Sequence, residues 1–416
     1  MRLRSRLASV ALGAALLSPA AALAAGFDTP ILYTARHQAM GGTAIGYVDD
    51  ASATFHNPAG LGGVRGVNLL GDLSLILGRV QASPERSVRS EESEPTVAPF
   101  FLIGGAARLN EFVSVGLGVF PVASGGAEYS YELAGNPIRD ATSIVFAEAT
   151  PALAVSLPRD RFVPGTLSIG AGYRASALWF TREKGDPDDP RLLNFDMFGT
   201  NFSGFRLGLQ YRPAPVFGFG FVFRNKIEIE TRADSVSVYT QTANDATLSF
   251  VLPAKLGGGM VFDLGRVRLA SDAEYAFQSQ NRRSTLRGTL GDSSAAVPNV
   301  FAWQDGVTLR FGAEYRLGDD ERAYPLRVGY LFDSAVTNPA YPSAFGTPPA
   351  PTHTVTFGGG YRTPSFQLNA ALAHRFGSTS IAPGELGTGC AFCSYDGDYS
   401  ITMTGFYLDA SVNFGS

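Results

Sequence analysis

The sequence predicts an all-β chain, about 14 antiparallel strands closed into a transmembrane β-barrel with an N-terminal plug (a hatch) in its lumen. Three observations carry this expectation. The chain opens with an export leader, its strand-length stretches alternate apolar and polar or small residues, and short connections alternate with long polar ones. Composition agrees: 48 Gly, 30 Phe and 16 Tyr against only 5 Met suit pleated, half-buried surfaces and tight turns better than helices.

Residues 1–24 read as a signal peptide. Arg2, Arg4 and Arg6 form a basic start, Leu7 to Leu17 an apolar run, and Ala22-Leu23-Ala24 a small-residue cleavage site. The run is too short to span a membrane. The residue directly after the cleavage site is Ala25 and not Cys, which argues against a lipoprotein. Loss of the three arginines takes the formal charge from −4 to −7 and leaves no basic patch, which argues against nucleic acid as a partner. No later stretch approaches the roughly 18 consecutive apolar residues of a membrane helix. An exported chain of this kind is either a large periplasmic or secreted β-protein or an outer-membrane barrel.

Residues 25–64 do not alternate and are assigned to the plug; residues 65–416 are assigned to the barrel. The first strand starts near Val67. The third, Val113 to Val122, contains Gly116, Gly118 and Pro121, residues that bend a strand or interrupt its pairing, or else accommodate ordinary tapering. Phe217, Phe219, Phe221 and Phe223 alternate with small residues. Val307, Leu309, Phe311, Ala313 and Tyr315 alternate with polar ones, and Leu326, Val328, Tyr330 and Phe332 repeat the pattern. Phe366, Leu368, Ala370 and Leu372 do the same before the last strand, which sets Phe406, Leu408, Ala410, Val412 and Phe414 on one face. Apolar-out, polar-in alternation marks a wall between lipid and lumen. A terminal amphipathic strand of this type is what barrel-insertion machinery reads during assembly.

Short links fall near Asn110-Glu111, Pro158–Val163, Pro213–Val216, Asp263–Arg266, Gly318–Tyr324 and Thr363-Pro364. Long polar stretches lie between them, among them Ala123–Thr142, Thr181–Leu192, Arg232–Asp245, Asn281–Pro298, Ser334–Pro351 and Gly377–Tyr399. Short periplasmic turns and long external loops give this rhythm. Trp179 and Trp303 are expected in an aromatic girdle at the external strand ends.

The early segment carries the most specific motifs: Met40-Gly41-Gly42, Asp49-Asp50, and Asn57-Pro58-Ala59-Gly60-Leu61. It resembles the plug of the FadL/TodX family of outer-membrane transporters for long-chain fatty acids and other hydrophobic compounds. Pro58 biases Asn57 away from helical geometry, and Gly60 accepts conformations that other residues do not. Leu326 to Ser334 and Trp303-Gln304-Asp305 match more loosely, so the resemblance extends over most of the chain. It implies capture of a hydrophobic ligand in an external groove and passage through an apolar pocket beside the plug, with sideways release through the wall at a kinked strand.

The same resemblance makes Arg182 the candidate cation for a ligand carboxylate, against the plainer reading of a solvated loop arginine. Gln304 stands where the family carries a Lys, which weakens a fatty-acid assignment and suits a neutral hydrocarbon or aromatic compound. Arg224, Arg310, Arg316, Arg327, Asp272, Glu274 and Glu314 read as a structural ion network across the lumen. Only His37, His56, His353 and His374 are present, and none forms a recognisable pair with a nucleophile or a carboxylate dyad, so no catalytic residues, cofactor or metal are expected. Cys390 and Cys393 stand as C-A-F-C; a lone C-x-x-C is weak for zinc, and a loop-closing disulfide is the better reading. The expected partners are outer-membrane lipid and a hydrophobic small molecule. The alternative is a non-transporting relative that serves as a structural or secretion-system anchor.

Overall fold

The computed structural model describes residues 33–85, 88, 90–157, 160, 163–239, 241–341, 347–382 and 395–415. The leader and the Cys390–Cys393 pair lie outside these residues. The wall is a closed antiparallel barrel of 14 strands. The first six are β1 (Val67–Ala82), β2 (Thr96–Arg108), β3 (Val113–Leu133), β4 (Asn136–Leu157), β5 (Thr166–Asp186) and β6 (Asp189–Ala214). The next four are each interrupted once. These are β7 (Phe217–Arg224, then Ile227–Val238) and β8 (Gln241–Leu252, then Lys255–Leu264). They are followed by β9 (Val267–Ala276, then Arg283–Leu290) and β10 (Ser293–Val300, then Gly306–Gly318). Then come β11 (Ala323–Asp333), β12 (Thr352–Arg362), β13 (Phe366–Ile381) and β14 (Gly397–Phe414). Closure is continuous: β14 pairs with β1 from Val67↔Phe414 to Gln81↔Ser400.

The alternation sets the faces as expected. On β10, β11 and β14, Phe311, Val328 and Leu408 point outward, each about half exposed, whereas Arg310, Arg327 and Asp409 are buried inside. The short links fall at one end. At the other end, four of the long polar stretches are not loops. Ladders run on to Leu133↔Asn136, Asp186↔Asp189, Gln241↔Val238 and Leu290↔Ser293, so these stretches are strand extensions closed by tight turns. Ala134 and Gly135 make the first such turn with φ of 52° and 81°, the paired positive φ that a two-residue hairpin needs. Water on the outer face tolerates polar side chains, so their polarity did not preclude pairing.

Two neighbouring strands invert their polarity halfway up. In β7, Phe217, Phe219, Phe221 and Phe223 face outward, yet Ile227 and Ile229, which continue the same odd-numbered series, are buried inside. The break at Asn225-Lys226 turns the chain over. In β8, Leu248, Phe250 and Leu252 face inward while Leu256, Met260 and Phe262 face outward, on either side of Pro253-Ala254. The two breaks lie opposite each other, because Arg224 pairs with Lys255 and Ile227 with Leu252. Pro253 lacks the N–H that an unbroken ladder requires. Below the breaks the wall is apolar outside and polar inside; above them Glu228, Glu230 and Arg232 face out and the lumen becomes apolar.

Trp303 departs from the girdle expectation. It lies in the interruption of β10, is 3% exposed, and packs inside against Phe301 at 5.3 Å. Trp179 faces outward against Phe198 at 5.2 Å.

Candidate functional site

Residues 33–64 run through the lumen, since their partners lie on strands right round the wall. The segment contains α1 (Ala35–Gln38), α2 (Ala53–His56) and a 3-10 turn at Pro58–Gly63. Short helices leave most of their polar backbone unpaired, and the wall supplies the partners. Asp72 accepts from Ala35 N at 3.2 Å and Asp409 from Arg36 N at 2.8 Å. Asp272 accepts from Ala44 N and Ile45 N at 2.8 and 3.1 Å, and Asn68 from Ala51 N at 2.8 Å. Arg206 donates to the carbonyls of Thr54 and Phe55.

The motif residues sit at the joints of this segment. Asn57 donates to the carbonyls of Ile45, Leu209 and Phe221 at 2.8, 3.1 and 3.3 Å, and accepts from Ala59 N at 3.1 Å. Pro58 opens the 3-10 turn, and a side chain on Gly60 would meet Val48 O at 2.4 Å. Asp49 and Asp50 both hold Arg36, at 2.7 and 3.2 Å, and border a cavity of about 620 Å³ at the short-turn end. The His37 and His56 rings lie 4.8 Å apart within the segment, tilted at 55° to each other. Burial and the charge of Arg36 push His37 down to about 3. Burial and the neighbouring His37 lower His56 as well, so both rings are neutral at pH 7.

Above the segment the inward faces of β4 to β8 make an apolar chamber from Ile144, Phe146, Leu178, Phe180, Met197, Ile229 and Phe250. At its external end lies a cavity of about 330 Å³ bordered by Phe180, Phe195, Leu248, Phe250, Tyr129, Tyr399, Arg182 and Lys184. Arg182 is therefore on the cavity, not in a solvated loop, but it is already engaged. Its guanidinium pairs with Asp140 at 2.6 Å and donates to Thr142. Lys184 pairs with the same carboxylate at 3.2 Å and with Glu85 at 2.9 Å. Two cations face two anions. Asp140 escapes a reading of the sequence because it lies in a stretch that looks like loop; read as a β3–β4 hairpin, that stretch sets Thr142 directly opposite Arg182. Gln304 is not among the described residues that border the cavity; its backbone N–H donates to Val336 O at 2.8 Å.

The cavity directly beside the segment is different. It measures about 60 Å³ and is bordered by Arg206, Arg224, Lys255, Glu274 and Arg310 as well as Phe55 and Val122. The ion network has these pairs: Glu274 with Lys255 at 3.4 Å and with Arg310 at 3.5 Å, and Arg327 with Glu314 at 2.7 Å. Glu148, fully buried, pairs with Arg174 at 2.5 Å and Arg206 at 3.5 Å. Arg316 stands apart near exposed Asp320, and Asp272 serves the backbone of the lumenal segment.

The wall parts between β2 and β3. Their ladder covers only Ile103↔Val119 to Arg108↔Ser114, although β2 pairs with β1 along its upper length. β3 carries a bulge between Pro121 and Ala123 and is buried on both faces from Phe120 to Ala127. Tyr33 donates to Pro121 O at 3.0 Å and packs against Phe55 and Phe120. Gly116 and Gly118 lie lower, where side chains would strike Leu61 and Thr54 at 2.8 and 2.3 Å; they give clearance to the lumenal segment.

A family model described as outer membrane protein transport protein (OMPP1/FadL/TodX) matches residues 15–414. No match is found among curated proteins. Among solved structures, a FadL homologue from Pseudomonas aeruginosa aligns with a TM-score of 0.74 at 17% identity, over 94% of this chain and 100% of that one. The Pseudomonas putida toluene transporter TodX aligns with a TM-score of 0.66 at 18% identity, over 95% and 100%. The Ralstonia pickettii toluene transporter TbuX gives 0.63 at 15% identity, over 94% and 99%. At these identities the likenesses show the shared fold.

Proposed function

Because the chain belongs to the OMPP1/FadL/TodX family of outer-membrane transport channels for hydrophobic compounds, we propose that it takes up uncharged hydrophobic small molecules. The ligand enters the apolar chamber from outside, residues 33–64 act as a plug that bars the straight path, and release is sideways at the β2–β3 parting. The observation that carries this reading is the charge balance of the chamber: Asp140 and Glu85 already neutralise Arg182 and Lys184 amid aromatic walls. A carboxylate ligand would have to displace Asp140 from two cations at once, whereas a neutral ligand gains about 25 cal/mol per Å² of buried apolar surface without that cost. The toluene transporters among the structural relatives support the same class.

The test is uptake of a radiolabelled neutral hydrocarbon by a porin-poor Gram-negative host that expresses the chain. Uptake should be lost in a folded Phe180→Glu/Phe250→Glu variant and kept in Arg182→Ala. A second reading, for long-chain carboxylates, has the position of Arg182 and Lys184 on the cavity in its favour. Uptake of a fatty acid that disappears with Arg182→Ala would put that reading first.

A further inference from the structure

Tyr129 stands on β3 at the border of the 330 Å³ cavity, 4% exposed. Its hydroxyl has no hydrogen-bond partner among the described residues. Most of the nearby polar groups are engaged elsewhere: Tyr131 donates to Asp140 at 3.1 Å, Tyr399 to Tyr395 O at 2.8 Å, and Arg182 binds Asp140 and Thr142; on the same cavity the Thr347 hydroxyl also lacks a partner among the described residues. A buried hydroxyl left without a partner costs about 1–3 kcal/mol, and native interiors rarely leave one so. A cavity walled by Phe180, Phe195, Leu248 and Phe250, with its charged side chains paired to one another and the Tyr129 phenol unsatisfied, fits a ligand that is apolar over most of its surface and brings an oxygen.

We infer that Tyr129 is a specificity-determining residue, and that its hydroxyl bonds a neutral hydroxyl or carbonyl oxygen on an otherwise hydrophobic ligand. This rests on the proposed uptake of uncharged molecules and adds a preference for oxygenated ones among them. Size agrees with a two-ring compound, since a dry cavity of about 150 Å³ holds one benzene and this one is about twice as large.

The experiment compares 2-naphthol with 2-methylnaphthalene, near-isosteres that differ in one hydroxyl, by equilibrium binding to the full-length mature barrel in amphipol. Tyr129→Phe removes a single oxygen. It should weaken 2-naphthol by about 2–10-fold, the worth of one net hydrogen bond, and leave 2-methylnaphthalene unchanged. That unchanged affinity also shows that the variant is folded. Equal effects on both probes, or none on either, would overturn the role of Tyr129 while leaving hydrophobic uptake standing. Failure of the wild type to bind either probe would overturn both.

Discussion

Asn57 shows how much one side chain can hold. Its amide reaches carbonyls of two wall strands and of the lumenal segment, and its oxygen fixes the turn that follows. Asn57→Ala leaves those buried carbonyls without the amide, so stability should fall by about 1–3 kcal/mol. Asn57→Asp should be worse, because a carboxylate would then face carbonyl oxygens. Heat-modifiability on gels reads both, and an aspartate variant as stable as wild type would contradict the argument. Glu148 is a stricter case: with Arg174 and Arg206 it is fully buried. Glu148→Gln strands two guanidinium groups and should cost about 3–5 kcal/mol, whereas a joint Glu148→Gln/Arg174→Met change should recover part of that loss. Asn57 was visible in the sequence because its neighbours Pro58 and Gly60 form a motif. The engagement of Arg182 was not, since its partner Asp140 comes near only through hairpin pairing.

The lumenal segment and the wall are fitted to each other closely enough that single methyl groups matter. A side chain on Gly170 would meet the Pro58 carbonyl carbon at 2.3 Å, while one on Gly71 would meet nothing within 4 Å. Gly170→Ala should therefore loosen the segment by about 1–3 kcal/mol of overpacking, seen as faster hydrogen exchange across residues 33–64, and Gly71→Ala should be silent. The paired histidines make the same segment sensitive to acid. An undocked His takes up its proton near 6.5, whereas docked His37 holds off to about 3. The docked state binds fewer protons in that window, so its stability is complete above 6.5 and is lost as pH falls towards 3. At pH 4.5 the loss from His37 alone is about 3 kcal/mol. Protection of residues 33–64 should drop between pH 7.5 and 4.5, and drop less in His37→Phe; equal protection at both pH values would refute it. At this scale most of the wall was legible: alternation located its strands, and the short links located its turns. The inversion in β7 and β8 was hidden. Apolar residues keep the same spacing from Phe217 to Ile229, and spacing alone does not say that a break at Asn225-Lys226 has turned the face round.

The inversion also fixes how the whole molecule sits in the membrane. Lipid favours the part of the wall whose outer face is apolar, which includes Leu256, Met260, Phe262 and Phe221. Glu228, Glu230 and Arg232 face outward on the continuation of β7, and such charges on a lipid-facing surface cost about 2–4 kcal/mol each at mid-depth for basic residues and less for acidic ones. These charges predict that beside β7 and β8 the hydrocarbon layer ends near the breaks at Asn225-Lys226 and Pro253-Ala254, with the apolar chamber above it, although outward Trp179 and Phe198 carry the apolar outer face of β5 and β6 higher. This placement would account for the exchange of faces, with water outside the projecting wall and the polar backbone of residues 33–64 against the inner face of the lower wall. The parting between β2 and β3 begins just above Ile103↔Val119, where the ladder ends. Fluorophores attached to single cysteines at Met260 and Glu230, in a background with Cys390 and Cys393 replaced, would locate the boundary. Brominated lipid should quench the probe at 260 and spare the one at 230. Quenching at both would place the chamber within the bilayer, and the polarity exchange in β7 and β8 would then need a different cause.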